Sequence, residues 1–275
     1  MIAAALERAA RRLAGVSATP RLDAELLLAH AQGVERARLL TLDALAPDAT
    51  EAFERLLARR TTGEPVAYLL GRRDFWTLTL EVGPGVLVPR PETELVVELA
   101  LAALAGRPRP AVLDLGAGSG AIGFAIAASA TDAAVDLVEA SPVALAFAER
   151  NRQRLNLANT RLLAGDWFAP VAGRRYDVIV SNPPYLAAGD PHLAAPELGH
   201  EPRAALVAGA GGLEALTAIA AACGPYLMAG GALILEHGAL QGAAVRELLH
   251  AAGLEAVQSH TDLAGLERAT YGRQR

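Results

Sequence analysis

The stretch of this chain with the most chemistry per residue is Ser181-Asn182-Pro183-Pro184-Tyr185, which follows the apolar run Tyr176-Asp177-Val178-Ile179-Val180. A β-branched run that meets two prolines reads as a buried strand ending in a rigid loop, because proline cannot donate to the ladder and fixes its own φ. Asn182 brings an amide oxygen, Pro183 a carbonyl and Tyr185 a flat aromatic face. Acceptors beside an aromatic plane suit the holding of a planar nitrogen that carries N–H groups.

A second stretch, Ala111-Val112-Leu113-Asp114-Leu115-Gly116-Ala117-Gly118-Ser119-Gly120, reads as a buried strand, a glycine-rich turn and the start of a helix. Glycines let the backbone approach a ligand, and a helix N-terminus offers N–H groups. The loop Gly116 to Gly120 therefore points to a nucleotide-like cofactor. It departs from dinucleotide spacing, where a third glycine would fall on Ala121. Glu139 ends the next expected strand, where an acid can accept both hydroxyls of a ribose. Asp166 and Trp167 follow the strand after that; the indole can pack on an adenine ring and the carboxylate can accept from an exocyclic amine. His192 and His237 have neither an acidic partner nor metal-ligand spacing and read as structural.

The elements that must position these residues alternate. Strands are expected at 111–115, 134–138, 160–164, 176–181 and 231–236, with helices between them, which gives a largely parallel sheet. A final pair near 254–260 and 267–273 has no room for a helix between and should pair antiparallel at one edge. Ligands in such sheets sit at the carboxyl ends of the strands, where both loops lie. Before the sheet, apolar spacings of three and four predict a small helical bundle, with a break at Gly15 and Pro20, a helix over Arg21 to Gln32 and another over Pro47 to Arg60. The alternation from Phe75 to Val82 predicts one strand, Gly83-Pro84-Gly85 a turn, and Val86-Leu87-Val88 the returning strand of a hairpin. A helix should then run from Glu94 to Ala105.

Composition narrows the classes. The 275 residues carry a formal charge of -5, and all 25 basic residues are arginine. Residues 1–70 balance 9 Arg against 9 acids, which leaves 16 Arg against 21 acids in the remainder. No field of that sign holds a polyanion tightly, so stable nucleic-acid binding is not expected. The lone cysteine, Cys223, excludes an internal disulfide and reads as an inert buried thiol in a reducing compartment. The start Met1-Ile2-Ala3-Ala4-Ala5-Leu6-Glu7-Arg8 does not read as a secretory signal, and no apolar run is long enough to span a bilayer. The expectation is a cytoplasmic monomer with no membrane contact and no metal.

The glycine turn, Glu139 and Asn182-Pro183-Pro184-Tyr185 together resemble the class I S-adenosylmethionine-dependent methyltransferases that act on planar or amide nitrogens. Within these, the whole chain resembles the peptide chain release factor glutamine N5-methyltransferases, through Glu64-Pro65-Val66-Ala67-Tyr68, Phe75-Trp76, Val88-Pro89-Arg90-Pro91-Glu92-Thr93-Glu94, Asp166-Trp167-Phe168, Asp190-Pro191-His192-Leu193, Glu201-Pro202-Arg203-Ala204-Ala205-Leu206 and Leu235-Glu236-His237-Gly238. The resemblance implies an α/β, Rossmann-like sheet with a helical module at 1–70 that docks the substrate, a β-hairpin linker at 71–91 and the methyltransferase domain at 92–275. It implies S-adenosylmethionine as cofactor, contacted by Gly116, Ala117, Gly118, Ser119, Gly120, Glu139, Asp166, Trp167 and Asn182. It implies a class 1 release factor as protein partner, whose Gly-Gly-Gln glutamine would be held by Asn182, Pro183, Pro184 and Tyr185, with Asn182, Pro183 and Tyr185 serving the transfer. Three other readings share parts of the pattern: a nucleobase amino-methyltransferase, a ribosomal-protein glutamine methyltransferase and a non-catalytic cofactor-binding subunit.

Overall fold

The computed structural model describes residues 2–42 and 44–275. Met1 and Asp43, which fall in the expected 1–70 segment, lie outside them. The chain divides into two compact units. One takes the chain up to Arg73 with Val82–Pro84 and Pro191–Glu201; the other takes Asp74–Glu81, Gly85–Asp190 and Pro202–Arg275.

The first unit is helical: α1 (Ile2–Leu13), α2 (Pro20–Gln32), α3 (Pro47–Arg60) and the short α4 (Val66–Leu70). Prolines begin α2 and α3, where the missing N–H costs nothing, and Gly33 closes α2 in the left-handed conformation. Leu6, Leu13, Leu27, Leu28, Phe53 and Leu57 form its core. Full burial of such a side chain contributes about 1.5–3 kcal/mol. At its centre Arg60 is completely buried and donates to Asp23 Oδ2 at 2.8 Å, to the Val16 carbonyl at 3.3 Å and to the Glu197 carboxylate. Removing one partner of such a buried cation typically costs about 3–5 kcal/mol. Glu197 belongs to the segment that follows the Asn-Pro-Pro-Tyr loop, so this segment folds with the helices.

Next along the chain after α4 comes a hairpin of β1 (Arg72–Phe75) and β2 (Leu78–Glu81). Its turn is at Trp76-Thr77, not at Gly83-Pro84-Gly85, and Val86-Leu87-Val88 is not a strand. The alternation from Phe75 to Val82 concealed a reversal because Trp76 itself takes φ +56°, a conformation that a bulky residue rarely adopts. Glu94 accepts from the Trp76 backbone N–H at 2.7 Å and helps to hold the turn.

The second unit is an α/β layer structure. It contains α5 (Glu94–Leu104), β3 (Ala111–Leu115), α6 (Ala121–Ser129), β4 (Ala134–Glu139), α7 (Pro142–Leu155), β5 (Thr160–Ala164), β6 (Tyr176–Ser181), α8 (Glu214–Ala222), β7 (Leu227–Glu236), α9 (Gly242–Ala251), β8 (Glu255–Thr261) and β9 (Glu267–Arg273). Among the described residues seven strands form one sheet in the order β5-β4-β3-β6-β7-β9-β8. Pairing is parallel as far as β7, and β9 runs antiparallel to both β7 and β8. The inner strands β3, β4, β6 and β7 bury residues on both faces, as a parallel sheet covered on two sides requires. Val112, Val135, Leu137, Val178, Val180 and Ile234 pack on one side with residues of α5 and α6, and Leu113, Leu115, Val138, Ile179, Leu233 and Leu235 pack on the other with α8 and α9. Cys223 is buried in the second layer, and burial pushes its thiol up to about 11. Among the described residues no helix is long and apolar enough to cross a membrane.

Candidate active site

The order β4-β3-β6 places the loops after β3, β4 and β6 side by side at the carboxyl edge of the sheet. Leu115 pairs with Val138 on one side and Ser181 on the other, so the three strands end level. The Ser181 hydroxyl donates to the Leu115 carbonyl at 2.7 Å and ties the two loop origins together.

The turn after β3 is shaped by glycine. Gly116, Gly118 and Gly120 have φ of +71°, +59° and +89°, in a region that costs an L-residue about 1–2 kcal/mol each. At Gly120 a Cβ would also lie 2.0 Å from the Phe124 ring, so only glycine fits. Gly116 and Ala117 donate to the Val138 carbonyl at 2.9 and 3.0 Å, which anchors the turn to β4. From beneath, the buried Asp114 carboxylate accepts from Gly123 N–H at 2.8 Å. Desolvation pushes Asp114 up to about 7, with the Glu139 charge adding to the rise.

Glu139 braces the same turn. Its Oε2 accepts from Gly118 N–H at 2.8 Å and its Oε1 from Ser141 N–H at 2.7 Å, so the carboxylate spans from the glycine turn to the cap of α7. Each oxygen keeps a second lone pair, which leaves room for a hydroxyl donor.

These loops enclose a cavity of about 490 Å³, within the size range of roughly 300–1,000 Å³ usual for small-molecule sites. Gly116, Ala117, Gly118, Ser119, Glu139, Asp166, Trp167, Asn182, Pro183 and Pro184 line it. Trp167, itself at φ +42°, stands close to Gly116, where an added Cβ would lie 3.5 Å from the indole. Ser119 is buried, and among the described residues its hydroxyl has no hydrogen-bond partner. The outlying members of the expected set are Gly120 and Tyr185, neither of which belongs to the lining. Gly120 caps α6. Tyr185 is half-buried, its carbonyl accepts from Gln241 Nε2 at 2.9 Å, and desolvation pushes its phenol up to about 12, with the Glu236 charge adding to the rise.

The expected list omitted several residues of the wall. Val86, Leu87, Pro89 and Thr93 line the cavity from the segment before α5, and Pro202, Ala204 and Ala205 line it from the chain that returns after the Asn-Pro-Pro-Tyr loop. Their signal was present only as motif membership, Thr93 in Pro89-Arg90-Pro91-Glu92-Thr93-Glu94 and Ala204 in Glu201-Pro202-Arg203-Ala204-Ala205-Leu206. The return is pinned where Leu186 N–H donates to the Leu206 carbonyl and Ala208 N–H to the Leu186 carbonyl, at 2.9 and 3.0 Å. Asn182 meets the first group directly, since its Nδ2 donates to Thr93 Oγ1 at 3.2 Å.

His237 is completely buried, with Nδ1 2.9 Å from the Gly238 carbonyl and Nε2 2.8 Å from Thr270 Oγ1. Burial lowers its pKa, and both ring nitrogens are occupied, so it braces the end of β7. Among the described residues no cluster of His, Cys, Asp and Glu could hold a metal ion.

Comparison with known proteins is consistent along the chain. Residues 4–71 match the PrmC N-terminal domain and residues 92–213 the Methyltransferase small domain. A solved methyltransferase from Pyrococcus furiosus shares the fold, with a TM-score of 0.54 at 20% identity over 71% of this chain and 88% of that one. A release factor glutamine methyltransferase from Xylella fastidiosa is 47% identical over 255 residues, 92% of this chain and 93% of that protein. One from Pseudomonas aeruginosa is 50% identical over 261 residues, 94% of each. With that identity over more than nine-tenths of its length, this chain belongs to the release factor glutamine methyltransferase family.

Proposed function

We propose that this protein transfers a methyl group from S-adenosylmethionine to the side-chain amide nitrogen, N5, of the glutamine in the Gly-Gly-Gln loop of a class 1 peptide chain release factor. The observation that carries the reading is the pairing of two loops on one cavity: a glycine turn braced by Glu139 on one wall, and Asn182-Pro183-Pro184 on the other.

The residues of the first wall fit the cofactor. Gly116, Ala117 and Gly118 allow close approach to its methionine part, and Ser119 offers a buried hydroxyl with no other partner among the described residues. Glu139 keeps lone pairs for ribose hydroxyls, and Asp166 with Trp167 would hold the adenine. When bound, the cofactor supplies an electrophilic methyl carbon on a sulfonium.

The second wall prepares the nucleophile. An amide nitrogen is weak because its lone pair is delocalised into the carbonyl. Asn182 Oδ1 and the Pro183 carbonyl each accept one of its N–H bonds, which favours the positive charge that develops on nitrogen during attack. Tyr185, half-buried beside the lining, packs against the amide plane. Holding the nitrogen in line with the methyl carbon supplies much of the remaining advantage. The methylated amide cation is acidic and loses its proton to water, so no strong base is needed.

On this reading the helical unit, up to about residue 70, adds docking surface for the release factor, the enzyme acts as a monomer in the cytoplasm, and nucleic acid is not a stable partner. The test is incubation of release factor, ribosomal protein and nucleic acid, side by side, with labelled cofactor. Peptide mass spectrometry is expected to place one methyl on the Gly-Gly-Gln glutamine, and its absence there would sink the proposal.

A further inference from the structure

We propose that Thr93 and Glu236 are positioning residues that fix which end of the Asn182 amide faces the methyl-accepting nitrogen. The inference rests on the amide-methylation reading and adds two residues to it.

An asparagine amide has a donor end and an acceptor end of nearly the same shape, so a site that needs the acceptor must prevent the flip. Asn182 Nδ2 donates to Thr93 Oγ1 at 3.2 Å. Thr93 is 3% exposed and Glu236, at the end of β7, is 1% exposed, and hydrogen bonding from the Thr93 side chain lowers the Glu236 carboxyl against the rise that burial causes. Of the Glu236 carboxyl, Oε2 is buried with no partner among the described residues, which leaves Oε1 as the oxygen to accept from Thr93. A hydroxyl has one proton to give. When Thr93 gives it to the carboxyl oxygen, its own oxygen can only accept, and Asn182 must turn its NH₂ toward it. The amide oxygen is then left for the substrate. A flipped Asn182 would set its NH₂ against the substrate NH₂, donor against donor.

The surroundings of Glu236 agree with a dedicated role. Desolvation pushes the carboxyl up to about 7, while the Thr93 hydrogen bond and the Arg268 and Arg90 charges pull against that rise and Glu92 adds to it. The arrangement also explains why Thr93 stands in Pro89-Arg90-Pro91-Glu92-Thr93-Glu94: this segment supplies the second link behind Asn182.

The experiment compares the wild type with Thr93→Val, which keeps the shape and removes the hydroxyl, Thr93→Ser, which restores it, and Glu236→Gln, which can donate as well as accept. In ¹⁵N-labelled protein the Asn182 side-chain amide protons are expected to exchange at least about tenfold faster in Thr93→Val than in wild type or Thr93→Ser. In methyl transfer to release factor, Thr93→Val is expected to lower kcat about 10- to 100-fold with KM for the cofactor within about twofold, Thr93→Ser to recover most of it, and Glu236→Gln to fall between. If Thr93→Val leaves amide exchange and kcat within about twofold of wild type, or if Thr93→Ser is as impaired as Thr93→Val, the relay is wrong. Full activity in Glu236→Gln would remove Glu236 from it. Should the wild type fail to methylate release factor, the functional reading falls, and the exchange measurement still decides the relay.

Discussion

The two loops that face each other across the cavity are rigid for opposite reasons. The turn after β3 is made of glycines at positive φ, and its N–H groups hold its shape: Gly116 and Ala117 donate to the Val138 carbonyl, Gly118 to Glu139 and Gly120 to the Ala117 carbonyl. The loop after β6 is made of prolines, which have no N–H to present, so only carbonyls and the Asn182 amide remain. One wall therefore spends its backbone donors on its own shape, and the other has no backbone donor at its prolines and leaves acceptors. Behind each stands one buried carboxyl pushed up to about 7, Asp114 under the glycine turn and Glu236 behind Asn182. The difference shows how two neighbouring strands of one sheet give unlike cavity walls, one strand ending in glycines and the other in prolines.

Five substitutions would break or sharpen this contrast. Asn182→Ala removes the accepting side chain and is expected to lower kcat about 10²- to 10³-fold. Cofactor affinity measured by calorimetry should change far less, which would confine the damage to the accepting wall. Gly120→Ala attacks the glycine wall through sterics, because the new Cβ meets Phe124 at 2.0 Å as well as requiring positive φ. A loss of about 2–4 kcal/mol in thermal or denaturant unfolding is expected, against about 1 kcal/mol for Gly118→Ala, where Val86 at 4.0 Å leaves space. Equal losses at the two positions would refute the steric account.

Asp114→Asn probes the carboxyl beneath the glycine turn. Because its folded pKa is raised from the ordinary 3.8 to about 7, the Asp114 contribution to stability is fully present below about 4 and is lost as pH rises through 7. The wild type should therefore lose about 1–3 kcal/mol more between pH 5 and pH 8 than the variant does, read as the difference in their unfolding free energies. Glu139→Gln should have the smallest effect. The neutral amide keeps one acceptor for Gly118 or Ser141 and loses the other, so cofactor Kd should rise about tenfold while kcat at saturation stays near that of the wild type. A large fall in kcat instead would give Glu139 a part in the transfer itself.

The strands were legible in the sequence because each is a short apolar run interrupted by at most one or two polar residues; β3, β5 and β6 run over the residues expected of them. The edge pair β8 and β9 was legible for a different reason, the lack of space for a crossover helix. The hairpin was not, because its turn sits on Trp76, a residue with no turn propensity. Glycine and proline identify the two loops from sequence, since they act through their own backbone. Thr93 and Ala204 could not be read in the same way: they reach the cavity only by tertiary folding, and a threonine in a proline-rich segment carries no local sign that an asparagine 89 residues later will donate to it. Glu139 lay between these cases, placed correctly at the end of its strand yet engaged first with the protein's own backbone.

The left-handed backbone at Trp167 has an optical consequence. The protein has two tryptophans. Trp76 donates its indole N–H to Ser129 Oγ at 3.0 Å and is not part of the cavity wall, whereas Trp167 is turned onto that wall beside Gly116. Emission from Trp76 is thus a constant background, and any change in quenching or wavelength on titration reports from a single fluorophore at the cavity. A phenylalanine in place of Trp76 would leave a one-signal protein in which filling of the cavity can be followed by light alone.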